Sequence, residues 1–189
     1  MGRTYDDVDD RLATWLLGQP VFFVATAPSG GGGHLNCSPK SNNGELAVLS
    51  GSCLAYLDRT GSGAETIAHL LENGRILLMF CSFAGSPRIV RIHGRGKVHF
   101  RGSEEFCELE GRFREQSVLG SRSIVTMEVD RIADSCGYGV PFMAFEGHRQ
   151  QADAWHARKG EEGVREYWSA NNAVSLDGLP GVPPRQMDD

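Results

Sequence analysis

Thr60, Gly61, Ser62 and Gly63 stand between an apolar run that ends near Asp58 and a helical pattern that closes at Asn73-Gly74. Ser62 and Glu65 fit the S-x-x-E capping box, which predicts a helix start near Gly63. A helix start presents unpaired amides and a partial positive charge, so a phosphate in front of this loop is held without any basic side chain. The chemistry on offer is anion capture. The same residues also fit a helix start that binds nothing, since short motifs of this kind are weakly specific. Gly61-x-Gly63-x-x-Thr66 has threonine where a dinucleotide fingerprint needs its third glycine, and a helix of about ten residues is short for a Rossmann crossover. A Rossmann dehydrogenase is therefore not expected.

A second chemical feature lies in residues 89–100. Val90, Ile92, Val98 and Phe100 alternate with Arg91, His93, Arg95, Lys97 and His99, which puts an apolar and a basic face on one strand. Gly94 and Gly96 predict a bend or bulge that aims Arg91 away from Lys97. For the outer basic residues a water-facing sheet surface is the preferred account, since charged side chains usually face water. The six histidines are scattered, and no Ser-His-Asp set, carboxylate pair or metal-ligand spacing is visible, so no catalytic residue and no metal centre is assigned. Cys37, Cys53, Cys81, Cys107 and Cys136 are odd in number and form no C-x-x-C pair, which fits reduced thiols. Cys136, between Ser135 and Gly137, reads as a buried inert thiol in preference to the alternative of a reactive thiol near the site.

The elements that must position these residues follow from pattern. A chain of 189 residues that is 40% hydrophobic has enough apolar content for one domain over residues 1–189. Val8, Leu12, Trp15 and Leu16 predict an opening helix within residues 1–18, drawn over 5–18 and closed by Gly18. Strand patterns occupy 21–26, 34–38, 45–50, 54–58, 76–83, 89–100 and 123–129, with helical stretches at 103–116 and 152–168. The expected fold is mainly β (α+β), a six-stranded antiparallel split β-barrel with short peripheral helices. Residues 136–184 form a turn-rich C-terminal extension whose Val174, Leu176, Leu179 and Val182 anchor it on the barrel or on a partner subunit, with fraying beyond Pro184. A formal charge of −5 argues against a nucleic-acid or anionic-membrane partner, and the acidic, signal-free start predicts a cytoplasmic protein.

Seven segments in collinear order carry a family resemblance: residues 21–28, 34–40, 56–66, 69–76, 87–96, 136–141 and 175–180. Together they resemble the pyridoxamine 5′-phosphate oxidase-like family of FMN-binding split barrels, in its oxidase-related branch. The resemblance implies a homodimer with two FMN sites at the interface, each built from both chains. It places Asn36, Ser38 and Lys40 on the first cofactor strand, Tyr56 and the turn with Gly61, Ser62, Gly63 and Thr66 at the ribityl phosphate, and Arg91 as an anion partner. Within this reading Asn36 and Ser38 face the cofactor while Leu35 and Cys37 face the core. The chain departs from the family where the oxidases carry an Arg-Lys pair, having Glu65-Thr66, and where they carry glutamine, having Ile89. The vitamin-phosphate residues of their C-terminus have no counterpart in 175–184. The expected function is an FMN-dependent oxidoreductase acting on a small molecule or a nicotinamide donor, with pyridoxamine phosphate oxidation itself not expected. A non-catalytic flavin, deazaflavin or haem binder or sensor is the alternative.

Overall fold

The computed structural model describes residues 2–114 and 118–183. Period-two burial dictates the sheet: along Val21–Thr26 (β2) each second residue is buried, and Phe22 and Val24 are fully so. The remaining strands are Thr4–Tyr5 (β1), Asn36–Ser41 (β3), Leu46–Ser50 (β4), Cys53–Arg59 (β5), Arg75–Cys81 (β6), Ile89–Phe100 (β7) and Ser121–Ser135 (β8). All pair antiparallel, in the order β3-β2-β6-β7-β8-β5-β4, with β1 added on β8. This is the antiparallel split barrel expected, with eight strands instead of six. The difference arises partly at the far end of β8, which runs on to Ser135 and gives the two residues of β1 a partner. Tyr5 fixes that pairing by donating to Asp134 Oδ2 at 2.5 Å.

The seam lies between the edge strands β3 and β4. Phe22 spans the interior, stacked on Phe80 with centroids 5.5 Å apart and edge-on to Tyr56 at 5.7 Å. Leu12 and Leu16 of the first helix, Asp10–Leu17 (α1), join this core. That helix starts five residues later than expected, because Asp9 caps it by accepting from Leu12 N at 2.7 Å. Glu65–Asn73 (α2) lies against β7 at Gly96, where an added Cβ would press on Leu70. Gly74 closes α2 in the left-handed conformation at φ 69°, as the sequence suggests.

The bend expected on β7 is present as a register shift between His93 and Gly94. There the backbone of β8 comes so close that a Cβ on Gly94 would collide with the Glu128 carbonyl. Gly94→Ala is expected to lower stability by about 1–3 kcal/mol through overpacking. The check is a lower urea midpoint with an unchanged m-value.

Glu104–Glu110 (α3) covers the outer face of β5 and β8 through Phe106, and is shorter than the helix expected over 103–116, of which 115 and 116 lie outside the described residues. His99 of the basic strand face is buried beneath it and bonds Thr126 Oγ1 at 2.8 Å. Cys136 is exposed, contrary to expectation, because it follows the end of β8 and no element packs over it. The last helix, Gln151–Asn171 (α4), breaks at Gly160 with φ 67° and ψ 177°. Its Val164 and Trp168 pack with Ile67 and Val182. Residues 172–183 fold back as a turn over the start of α2, with Val182 buried while Val174 and Leu176 are exposed. Pro184 lies outside the described residues. No described helix is long and apolar enough to cross a membrane.

Candidate functional site

Strand register decides which residues of β3 meet. Asn36, Ser38 and Lys40 pair with Thr26, Val24 and Phe22, so their side chains share the interior face of the sheet. Cys37 and Leu35 are exposed, the reverse of the core-facing role expected for them. The reason is that β3 is an edge strand packed on one face only. Asn36 Nδ2 donates to Thr26 Oγ1 at 3.1 Å and to Thr66 Oγ1 at 2.9 Å, and its Oδ1 accepts from Ser38 Oγ at 3.0 Å. Thr26 Oγ1 also bonds His69 Nδ1 at 2.9 Å. This polar cluster ties β2 and β3 to the first two turns of α2. Burial pushes the His69 pKa down despite Asp177, Glu65 and Glu72 nearby, so the ring is neutral at neutral pH. Its Nε2 is buried with no hydrogen-bond partner among the described residues.

Lys40 lies further along the same face and is committed to the protein. Its Nζ pairs with Asp58 Oδ1 at 2.9 Å, and Arg122 Nε donates to Asp58 Oδ2 at 2.8 Å. Asp58 is fully buried. Burial alone would raise its pKa, but Arg122 and Lys40 outweigh that and hold the carboxyl far below the usual carboxylate range. The triad joins β3 to β5 and β8 across the seam. Tyr56, two residues before Asp58 on the same face, has its pKa pushed well up by burial and by the Asp58 charge. Its hydroxyl is therefore a neutral phenol, buried and unpartnered among the described residues.

The Gly61–Gly63 loop leads into α2, but the capping box does not form. The N-cap is Ala64, which leaves Ser62 two residues too early and makes no side-chain cap. Glu65 folds its carboxylate back over Gly63 and accepts from Leu176 N at 3.2 Å. Asn172 Nδ2 donates to the Gly61 carbonyl at 3.0 Å, and Trp168 Nε1 to Thr60 Oγ1 at 2.9 Å. The start of α2 is thus flanked by the chain's own C-terminal turn. Thr66 is brought to Asn36, whereas Gly61 and Ser62 stay exposed. Arg91 sits apart: it pairs with Met79 and lies on the opposite sheet face, donating to Ser135 Oγ at 3.1 Å.

Thr26, Asp58, His69 and Arg122 complete these clusters and escape a reading by motif. Asp58 carried a signal, since it shares strand parity with Leu54 and Tyr56 and therefore points inward. Arg122 carried none, because it lies at an irregularity where the β5–β8 register shifts between Asp58 and Arg59.

A family model described as pyridoxamine 5′-phosphate oxidase matches residues 8–136. The chain belongs to that family. The match covers the barrel and ends where the segment leading to α4 begins. Within the pyridoxamine 5′-phosphate oxidase family, the family protein ustO of Aspergillus flavus is 36% identical over 200 residues, covering 97% of this chain and 79% of that protein. Among solved structures, a variant of HupZ from Group A Streptococcus aligns with a TM-score of 0.51 at 18% identity, over 68% of this chain and 99% of its own. An FMN-binding protein from Syntrophomonas wolfei aligns with a TM-score of 0.50 at 16% identity, over 65% and 82%. At such identities the two structures show the shared split-barrel fold.

Proposed function

We propose that this family member binds a flavin, specifically FMN, and uses it as an oxidoreductase on a small organic molecule or a reduced nicotinamide donor. The observation that carries the reading is the cluster of Asn36, Ser38, Thr66, Thr26 and His69, which gathers donors and acceptors where β3 meets α2. The orphaned His69 Nε2 and Tyr56 hydroxyl fit a polar ligand that would complete them. Asn36, Ser38 and Thr66 would hold the cofactor's polar edge and ribityl chain, and the amides of Gly61, Ser62 and Gly63 its phosphate. Lys40 and Tyr56 would act from beneath, with the Lys40 charge already shared with Asp58. Arg91, on the other face, would serve a site completed across a cytoplasmic homodimer. Bound FMN would supply hydride or electron transfer, while these side chains orient it and keep the buried side dry.

The Glu65 carboxylate folded over Gly63 opposes any phosphate at that loop, so capture of the cofactor phosphate there needs Glu65 to swing off Gly63, and with Glu65-Thr66 in place of a basic pair pyridoxamine phosphate is not the expected substrate. Purified protein is expected to show a flavin visible spectrum, or to acquire one on FMN titration, and to bleach anaerobically with NADH or NADPH. A protein that stays colourless and ignores added FMN overturns the reading. One whose flavin stays oxidised with every donor is a binder without turnover.

A further inference from the structure

A cavity of about 670 Å³ lies between α4 and the end of the barrel formed by β5 and the start of β8. Four arginines line it, Arg59, Arg101, Arg114 and Arg165, against two carboxylates, Asp153 and Glu161. Each carboxylate is already paired, Asp153 with Arg59 and Glu161 with Arg101, the latter at 3.3 Å. Among the described residues Arg114 holds only neutral partners, the side chain and carbonyl of Asn43. Arg165 has no hydrogen bond or ion pair to any described residue. Glu45, just outside the lining, also lies 3.5 Å from Arg59, so among the described residues the guanidinium groups exceed the carboxylates by one, and guanidinium is the donor that suits carboxylate and phosphate oxygens. Val164 and Trp168 give it an apolar wall.

His156 is the second observation. It is 7% exposed and lines the same cavity, its ring packed against Gly120, where an added Cβ would strike it. Neither ring nitrogen meets full hydrogen-bond geometry with a described residue, although the Ala152 carbonyl one turn back lies close enough to favour the protonated ring. A buried imidazole without a partner costs free energy unless a ligand or water completes it. Burial and the neighbouring Arg59 keep the ring uncharged, so it can both donate and accept.

We infer that this cavity is a binding site for an organic anion, a carboxylate or phosphate ester on a flat apolar body, engaged by Arg165 and Arg114, completed by His156 and seated on Trp168. The site is separate from the Asn36 cluster. Arg59 alternates with the inward Asp58 on β5, and the α4 wall lies beyond the residues matched by the family model.

Phenyl phosphate and benzoate, titrated separately against the full chain, distinguish the two anion types. The readouts are tryptophan fluorescence, with Trp168 in the wall and Trp155 adjacent, and the ring resonances of His156. Saturable binding of at least one probe is expected, with displacement of the His156 resonances. Arg165→Gln should weaken it at least tenfold, whereas Asn36→Ala should leave it unchanged. The inference is overturned by the absence of saturation with both probes, by wild-type affinity in R165Q, or by stoichiometric displacement of the probe by FMN. A protein that ignores FMN yet binds a probe through Arg165 sinks the flavin reading and sustains this one.

Discussion

Asp58→Ala is expected to lower the unfolding free energy by about 3–5 kcal/mol, because it strips the counter-charge from two cations held inside the barrel. Arg122 is 4% exposed and the Lys40 side chain 18%, so neither reaches water freely once the carboxylate is gone. Lys40→Ala is milder, since Arg122 still pairs with Asp58, and a loss of about 1–3 kcal/mol is expected. Urea unfolding of the two variants beside the wild type gives the order; equal losses would show that Lys40 and Arg122 are not interchangeable partners. The same triad sets an acid limit. The folded-state pKa of Asp58 lies below its unfolded value of about 3.9, so its contribution is complete above that pH and declines as pH falls below it. Wild-type stability should therefore drop between about pH 4 and pH 2 more steeply than that of Asp58→Asn, which has no such proton to take up.

Asn36→Ala is expected to weaken FMN by about ten- to a hundredfold while leaving the fold intact. Its amide is the hub of the cluster, giving two hydrogen bonds and accepting one. Loss of one such buried partner costs about 1–3 kcal/mol, and 1.4 kcal/mol is a factor of ten in affinity. Asn36 sits at the start of an edge strand, half-buried, so the barrel core does not depend on it. Flavin retained per mole of purified protein and FMN titration of the apoprotein both read the effect. An unchanged affinity would move the cofactor away from β3. Lys40 makes the contrast: the family resemblance implied both as cofactor residues, yet Asn36 bonds only neutral side chains of the cluster, whereas Lys40 is held by the Asp58 carboxylate and closes the barrel seam.

Much of the architecture was legible because it rests on local pattern. The alternation of β7 placed Val90 and Ile92 in the core, Asn73-Gly74 ended α2, and collinear segments pointed to the family that the matching model shows. Helix starts were less legible. Ser62 and Glu65 satisfy a capping spacing on paper, but Ala64 takes the cap position once Glu65 is drawn to the amide of Leu176, a residue 111 positions away. No local rule contains that contact.

The opening loop shows where the boundary lies. By itself the sequence determined that a glycine-rich turn precedes a short helix, that β3 carries polar residues at alternate positions, and that the chain folds as a mainly antiparallel barrel, because spacing and side-chain period depend on neighbours in the chain. Only the tertiary structure decided that Asn36, Thr26, Thr66 and His69 converge, that Lys40 is held by Asp58, that Arg91 looks the other way, and that α4 encloses a cationic cavity. Those outcomes depend on strand register, on a register shift in β8 and on the return of the C-terminal segment over α2. Each joins residues far apart in the chain, and strand register alone decides which of two faces a side chain occupies.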